Sequence, residues 1–212
     1  MHSELGAYLP VILGALAVHA LGAMSPGPNF VIVSRHAIGR SRASALWATA
    51  GVQLGNAVYI ALGLLGFIAV LQSFLWLYMA LKVAGGLYLA WLGFCLWRDA
   101  RKPLPAIDGA AAPVRHWKAF REGLFTNLSN VKAIAYFFSF FTLVFDPGMP
   151  LWAKLSTAAG MIVVSTVWYI AVTFVLSASG ASAVYRRAKV WIDRIIGGVL
   201  GGLGLRLAAT SF

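Results

Sequence analysis

Two short polar runs interrupt otherwise apolar sequence, and they hold the residue types best able to do chemistry. The first is Ser25-Pro26-Gly27-Pro28-Asn29. Pro26 and Pro28 have no N–H, so the carbonyls of Gly22 and Met24, one helical turn earlier, lose their donors. Gly27 can take backbone angles closed to other residues. Two half-helices with exposed ends are expected. Pro28 fits the first turn of the second one, leaving N–H groups around Asn29, Phe30 and Val31. Such N–H groups suit a carboxylate, and such carbonyls suit an ammonium. Together they could grip the zwitterionic part of an amino acid. A plain proline kink at a span end is the alternative, because Val33 lies just before basic sequence.

The second run is Asn127-Leu128-Ser129-Asn130-Val131-Lys132. Asn127 and Asn130 share a helix face, whereas Lys132 is rotated by about 140° from Asn127 on an unbroken helix. All three converge only if the helix is distorted. A lysine at bilayer depth must pair, face water or snorkel, so Lys132 is either a pathway residue or a headgroup anchor. His19 could relay a proton or serve as a hydrogen-bonded structural histidine. Gln53 and Asn56 either line a pathway or bind a neighbouring helix. Asp193 and Arg194 could form a gating ion pair or a surface one. Ser129 to Lys132 fits Ser-x-x-Lys, but no companion element accompanies it. Asn127-Leu128-Ser129 fits a glycosylation sequon on what the charge pattern makes the cytoplasmic side. Both matches are set aside. No glycine loop ending in Lys-Ser/Thr is present, so ATP drive by this chain is not indicated, and neither a cofactor nor a metal is expected.

The elements that must carry these residues follow from composition. The 212 residues are 60% hydrophobic and only 11% charged, against about a quarter charged in a soluble domain. The six carboxylates cannot dress a globule or build a carboxylate-rich metal site. A span takes roughly 20 apolar residues, and breaks in hydrophobicity give six: about 7–33, 45–71, 75–97, 124–145, 151–176 and 195–209. Residues 98–123 form a polar loop between the halves, with Pro103, Pro105 and an Ala/Gly-rich stretch from Asp108 to Pro113. The expected fold is an all-α polytopic membrane protein in one transport domain. The first apolar stretch lacks the basic flank of a signal peptide and is read as retained. Cys95, the sole cysteine, has no disulfide partner and is read as a small packing residue.

Charge then sets direction. Arg35, Arg40 and Arg42 follow the first span, six basic residues from Arg98 to Arg121 follow the third, and Arg186, Arg187, Lys189 and Arg194 precede the sixth. The connections at Gln72-Ser73-Phe74 and Asp146-Pro147-Gly148 carry none. Alternation of this kind places the basic loops in the cytoplasm and both termini outside. The net charge of +11 is therefore orientation, and a nucleic-acid partner is not expected. Three spans per half would make the halves an inverted repeat, a relation echoed by Lys82 before Gly85-Gly86 and Gly93, and Arg194 before Gly197-Gly198 and Gly204. Gly51/Gly55, Gly197/Gly201 and Gly198/Gly202 are spaced for close helix approach, within the bundle or between copies in a homo-oligomer. Trp47, Trp76, Trp91, Trp97, Trp152 and Trp191 read as interfacial anchors.

Several segments together resemble the LysE/RhtB amino-acid exporter family, closest to its threonine exporter branch. They are Val18-His19-Ala20, Ser25 to Phe30, Gly39-Arg40-Ser41-Arg42, Gly85 to Leu89 with Gly93, Gly123 through Asn127 to Ala133, and Trp191-Ile192-Asp193. Val131 departs from the proline that the family usually has there. The resemblance implies export of small neutral amino acids from a bacterial cytoplasm, across the inner membrane, driven by protons and without enzymatic activity. Gly27, Pro28 and Asn29 would then bind the substrate backbone, with hydrogen bonds from Asn127 and Asn130. Lys132 would meet its carboxylate or modulate coupling. His19, Asp193 and Lys132 are the candidates for proton handling. A membrane enzyme would need a nucleophile–base or metal constellation at depth, and a purely structural subunit would not need broken helices.

Overall fold

The computed structural model describes residues 2–73, 75–102, 114–146, 148–177 and 181–209. Pro103, Pro105, Asp108 to Pro113, Phe74 and Pro147 lie outside the described residues, as do the side chains of Gln72, Ser73, Arg186 and Arg187. Among the described residues there are eight α-helices and no strand. They are α1 (His2–Met24), α2 (Pro28–Gly39), α3 (Arg42–Ser73), α4 (Leu75–Asp99), α5 (His116–Leu128), α6 (Val131–Val144), α7 (Leu151–Leu176) and α8 (Ala181–Ala209). Gly6–Met24, Arg42–Leu65, Met79–Asp99 and Leu151–Leu176 are long and apolar enough to cross a membrane, and α6 is a shorter apolar helix. Leu13, Leu62, Leu65, Val163 and Val167 point outward and are exposed, a surface that requires lipid around it.

The first span is interrupted where the prolines demand it, between Met24 and Pro28. The expected fourth span is interrupted too, without a proline. Asn130 caps α6, its side-chain oxygen accepting from the Lys132 and Ala133 N–H groups, the geometry that makes asparagine a favoured helix start. Val131 occupies the first helical position, where proline is permitted but not required. The Asn127 and Leu128 carbonyls left at the end of α5 accept from the Tyr59 hydroxyl at 3.1 and 2.9 Å. Helix α5 also begins well before the expected span, so part of the expected loop, from His116 onward, is helical. Similarly, α8 starts at Ala181, upstream of its apolar part.

Glycines set the closest helix pairs. Helices α4 and α8 run antiparallel, Gly86 meeting Gly204 and Ala208, and Gly93 meeting Gly197 and Gly201. Helix α5 runs beside α3 in the same direction. Gly51 lies against the Phe120 carbonyl, Gly123 against the Ala48 carbonyl, and Gly55 against the Asn127 side chain. Helix α1 runs beside α7 likewise, with Tyr8 against Trp152 and Leu16 against Gly160. In each of these two pairs, the first part of one broken span lies along a long helix from the other half of the chain. The main core gathers Phe137, Phe140 and Phe141 of α6 and its C-cap Phe145 with Leu89, Leu92 and Leu96 of α4 and Met161 of α7.

Candidate functional site

Both helix breaks fall at the same place in the bundle, and Lys132 joins them. Its ammonium donates to the Ser25 hydroxyl at 2.6 Å and to the Pro26 carbonyl at 3.0 Å. Asn130 donates to the Asn29 side chain at 3.2 Å while capping α6 with its oxygen. The interruption between α5 and α6 is what turns Lys132 towards these partners. Gly27 precedes α2 with φ −165° and ψ −173°, an extended conformation open to any residue. A Cβ at Gly27 would meet the lysine Cδ and Nζ at 3.4 Å, an ordinary van der Waals contact.

Two of the backbone groups expected to be available at the first break are already engaged. The Gly22 carbonyl accepts from the Ser25 N–H at 3.3 Å, and the Val31 N–H donates to the Gly27 carbonyl at 2.9 Å. The carbonyl that does meet a cation is that of Pro26. Asn29 stands in the first turn of α2, where a backbone N–H has no acceptor within its own helix.

Around Lys132 lies a small cavity of about 60 Å³, lined among others by His19, Ser25, Asn29, Asn56, Asn130 and Tyr136. A water needs about 10–15 Å³ measured this way, so the cavity has room for a few waters and not for a whole amino acid. Gly27, Leu92 and Lys132 also border a much larger cleft of about 1030 Å³. That cleft runs past Pro28, Tyr88 and Cys95 to Arg35, Arg98, Lys102, Lys189 and Asp193. Lys132 thus separates a deep polar pocket from a vestibule that opens at the basic end of the bundle.

The other expected residues divide by distance from this cavity. His19 and Asn56 line it; His19 Nδ1 is 3.2 Å from the Tyr136 hydroxyl. Asn127 and Gln53 stand behind. The Asn127 amide donates to Asn56 Oδ1 at 2.8 Å, the Asn56 amide to Gln53 Oε1 at 3.1 Å, and the Ser165 hydroxyl to the same oxygen at 2.9 Å. Asp193 is on the vestibule wall, but its ion pair is with Lys189 at 2.7 Å and not with Arg194. The Arg194 guanidinium lies over the Trp97 ring at 5.5 Å. Lys189 also donates to the Ala100 carbonyl at 3.1 Å, and Asp193 Oδ1 is buried without a partner. Among the described residues no three His, Cys, Asp or Glu side chains form a metal-binding group.

Ser25, Tyr136 and Ser165 escaped sequence reasoning as individual site residues. Ser25 lies inside the first polar run with nothing in the sequence to assign it a role, and Tyr136 is one aromatic in an apolar run, with no signal to set it apart. His36 and Glu122 escaped as well. Together with Arg40 and Ser44 they tie α2, α3 and α5 at the basic end. His36 Nε2 is 2.9 Å from Glu122 Oε2, His36 Nδ1 is 2.7 Å from the Ser44 hydroxyl, and Arg40 Nη1 is 2.9 Å from Glu122 Oε2. Burial and the Arg40 guanidinium hold the His36 imidazole below its ordinary pKa, with Glu122 pulling the other way. Burial pushes the Glu122 carboxyl up, and Arg40 and His36 outweigh it to bring it below the usual value.

The model for the family described as LysE type translocator matches residues 20–211. The threonine efflux protein of Escherichia coli (strain K12) is 34% identical over 205 residues, covering 94% of this chain and 98% of that one. The threonine efflux protein of Salmonella typhi is 34% identical, covering 90% and 93%. The leucine efflux protein of Enterobacter sp. (strain 638) is 27% identical, covering 87% and 86%. No solved structure matches.

Proposed function

The chain belongs to the LysE type translocator family, and from that premise we propose that it exports small neutral amino acids of the threonine type across a bacterial inner membrane. The observation that carries the reading is the Lys132 ammonium held on Ser25 and Pro26, bridging two helix breaks. Lys132 occupies the ammonium position that a broken helix offers. A zwitterion entering from the vestibule presents its carboxylate to Lys132 and to the first turn of α2. As the lysine swings to that carboxylate, the substrate's own ammonium takes its place at the Pro26 carbonyl and Ser25 hydroxyl. Both charges are then required, and neither the free acid nor the free amine is carried.

The proposal extends to six spans in two inverted halves. The reciprocal glycine contacts of α4 with α8 and the exchanged pairs α3/α5 and α1/α7 have the form that a two-fold axis in the membrane plane produces. The charge pattern puts the basic end, and so the vestibule mouth, in the cytoplasm, with both termini in the periplasm. Protons drive the cycle. Asp193, buried on the vestibule wall with one oxygen unpartnered, is the carboxylate best placed to exchange them, and His19 beside Tyr136 is the group deeper in.

Uptake into inverted vesicles, or efflux from preloaded right-side-out vesicles, tests the scheme across threonine, homoserine, leucine, lysine, N-acetylthreonine and threonine amide. Threonine and homoserine should be carried, while the acetylated and amidated forms should not. Lys132→Gln should abolish export at normal membrane abundance. Asn130→Asp, which keeps the cap oxygen and loses the amide that reaches Asn29, should lower export while leaving the fold intact. Unimpaired export by both variants refutes the site, and export indifferent to collapse of the pH gradient and membrane potential refutes the coupling.

A further inference from the structure

A second cleft, between α2 and α5 at the basic end, carries charge that the transport scheme does not use. It has a volume of about 910 Å³ and is lined by Arg35 of α2, by Arg115 just before α5, and by Lys118 and Arg121 of α5. Glu122 is the one carboxylate in its wall, and that carboxylate is already committed to His36 and Arg40. None of the four cations makes an ion pair among the described residues. The first turn of α5 has no acidic residue and its start no side-chain cap, so the positive end of that helix adds to the same field. Four cations around one cleft call for an anion.

The apolar half of the cleft says which kind. Helix α5 buries Ala119, Gly123 and Asn127, the glycine and the asparagine against α3. About two turns apart along the outer side stand Trp117 and Phe125, 63% and 57% exposed. The Arg121 guanidinium lies over the Phe125 ring at 5.7 Å, and Ile32 completes the apolar wall from α2. A small soluble anion has no use for an exposed indole and phenyl beside its charge. A phospholipid does, since aromatic side chains settle at headgroup depth and basic pockets between spans take anionic headgroups.

We propose that this cleft binds the phosphodiester headgroup of an anionic phospholipid, its phosphate among Arg35, Arg115, Lys118 and Arg121 and its glycerol and upper acyl chains against Trp117, Phe125 and Ile32. The cleft shares Ile32, Arg35 and Thr126 with the vestibule wall and reaches Ser129 at the break in span four. The lipid therefore stands beside the vestibule mouth and ties α2 to α5, the basic-end segments of the two broken spans. The inference requires a membrane-embedded chain but is independent of which solute is carried.

The test is thermal unfolding of the purified full chain in a neutral detergent, titrated separately with phosphatidylglycerol, phosphatidylcholine and inorganic phosphate. Phosphatidylglycerol should raise the midpoint, and the other two should leave it unchanged. Arg115→Gln combined with Lys118→Gln should weaken the phosphatidylglycerol effect by about tenfold or more in concentration. The charge-matched pair Arg42→Gln and Arg101→Gln, outside the cleft, should leave it as it was. Equal shifts from phosphatidylcholine, the full shift from phosphate alone, or equal loss in both double variants would each overturn the proposal. Native mass spectrometry of Arg121→Gln gives a reading that needs no titration: loss of the phosphatidylglycerol adduct supports the site, and its persistence overturns it.

Discussion

Lys132 and His36 are both basic side chains drawn into the protein, and their surroundings give them opposite duties. Lys132 is satisfied by neutral oxygens only, the Ser25 hydroxyl and the Pro26 carbonyl. It can therefore leave them for a carboxylate at little electrostatic cost. His36 sits in a closed set with Ser44, Glu122 and Arg40, with Arg35 also acting on it, and it holds α2 in place. Its pKa lies below the ordinary 6.5 because burial and then Arg40 disfavour the charged ring. In the range below 6.5 the unfolded chain binds a proton that the folded chain refuses, so stability falls as pH drops. The depressed Glu122 carboxyl runs in the same direction, its stabilisation being lost at lower pH, as that group titrates below its ordinary 4.5. The melting temperature of the purified protein should thus fall between about pH 7.5 and about pH 5.5. His36→Gln should flatten that fall, and an unchanged slope would remove His36 from the account. Lys132 was legible in the sequence because a lysine in an apolar span must be explained. His36 was not, because the carboxylate that completes its set, Glu122, is far away in the chain.

Two ways of breaking a helix occur at the scale of elements. Pro26 and Pro28 remove donors, and any sequence reader finds them. Asn130 breaks the expected fourth span by offering its side chain to the next turn, a competition that local sequence signals only faintly. Glycine spacing is ambiguous in the same way, and the tertiary structure separates the cases. Gly51 and Gly123 lie against backbone of the facing helix, whereas Gly198 and Gly202 have nothing within 4 Å of a would-be Cβ. Gly51→Ala and Gly123→Ala should each destabilise by ~1–3 kcal/mol through overpacking. Gly198→Ala and Gly202→Ala should be neutral or stabilising by up to ~1 kcal/mol, since alanine is the better helix former. Midpoints of unfolding in detergent compare the four directly. A large loss at Gly202 would mean that this outer face meets something further.

For the whole molecule, the direction of the vestibule is the property that matters most, and Cys95 reports it. The side chain is partly exposed and lines the vestibule, and it is the only cysteine of the chain. A membrane-impermeant maleimide should label it in inside-out vesicles and not in right-side-out ones, and transported amino acid should slow the reaction. Labelling from the opposite face would reverse the orientation read from the basic loops. The sequence alone reads Cys95 as a packing residue; its place on the vestibule wall arises from the packing of α4 against α6 and α8.

By itself the sequence determined the solvent, the family and the two polar runs. Apolar length, the alternation of basic loops and the chemistry of proline act within one segment at a time. Only the tertiary structure decided that the two runs meet, that Lys132 turns onto Ser25 and Pro26, and that Asp193 pairs with Lys189. It also decided that four cations, on α2, on α5 and just before α5, border one cleft. Those outcomes depend on where a capping asparagine interrupts a helix and on which glycines let backbones touch. Such choices are made between segments far apart in the chain, where spacing along one segment carries no information.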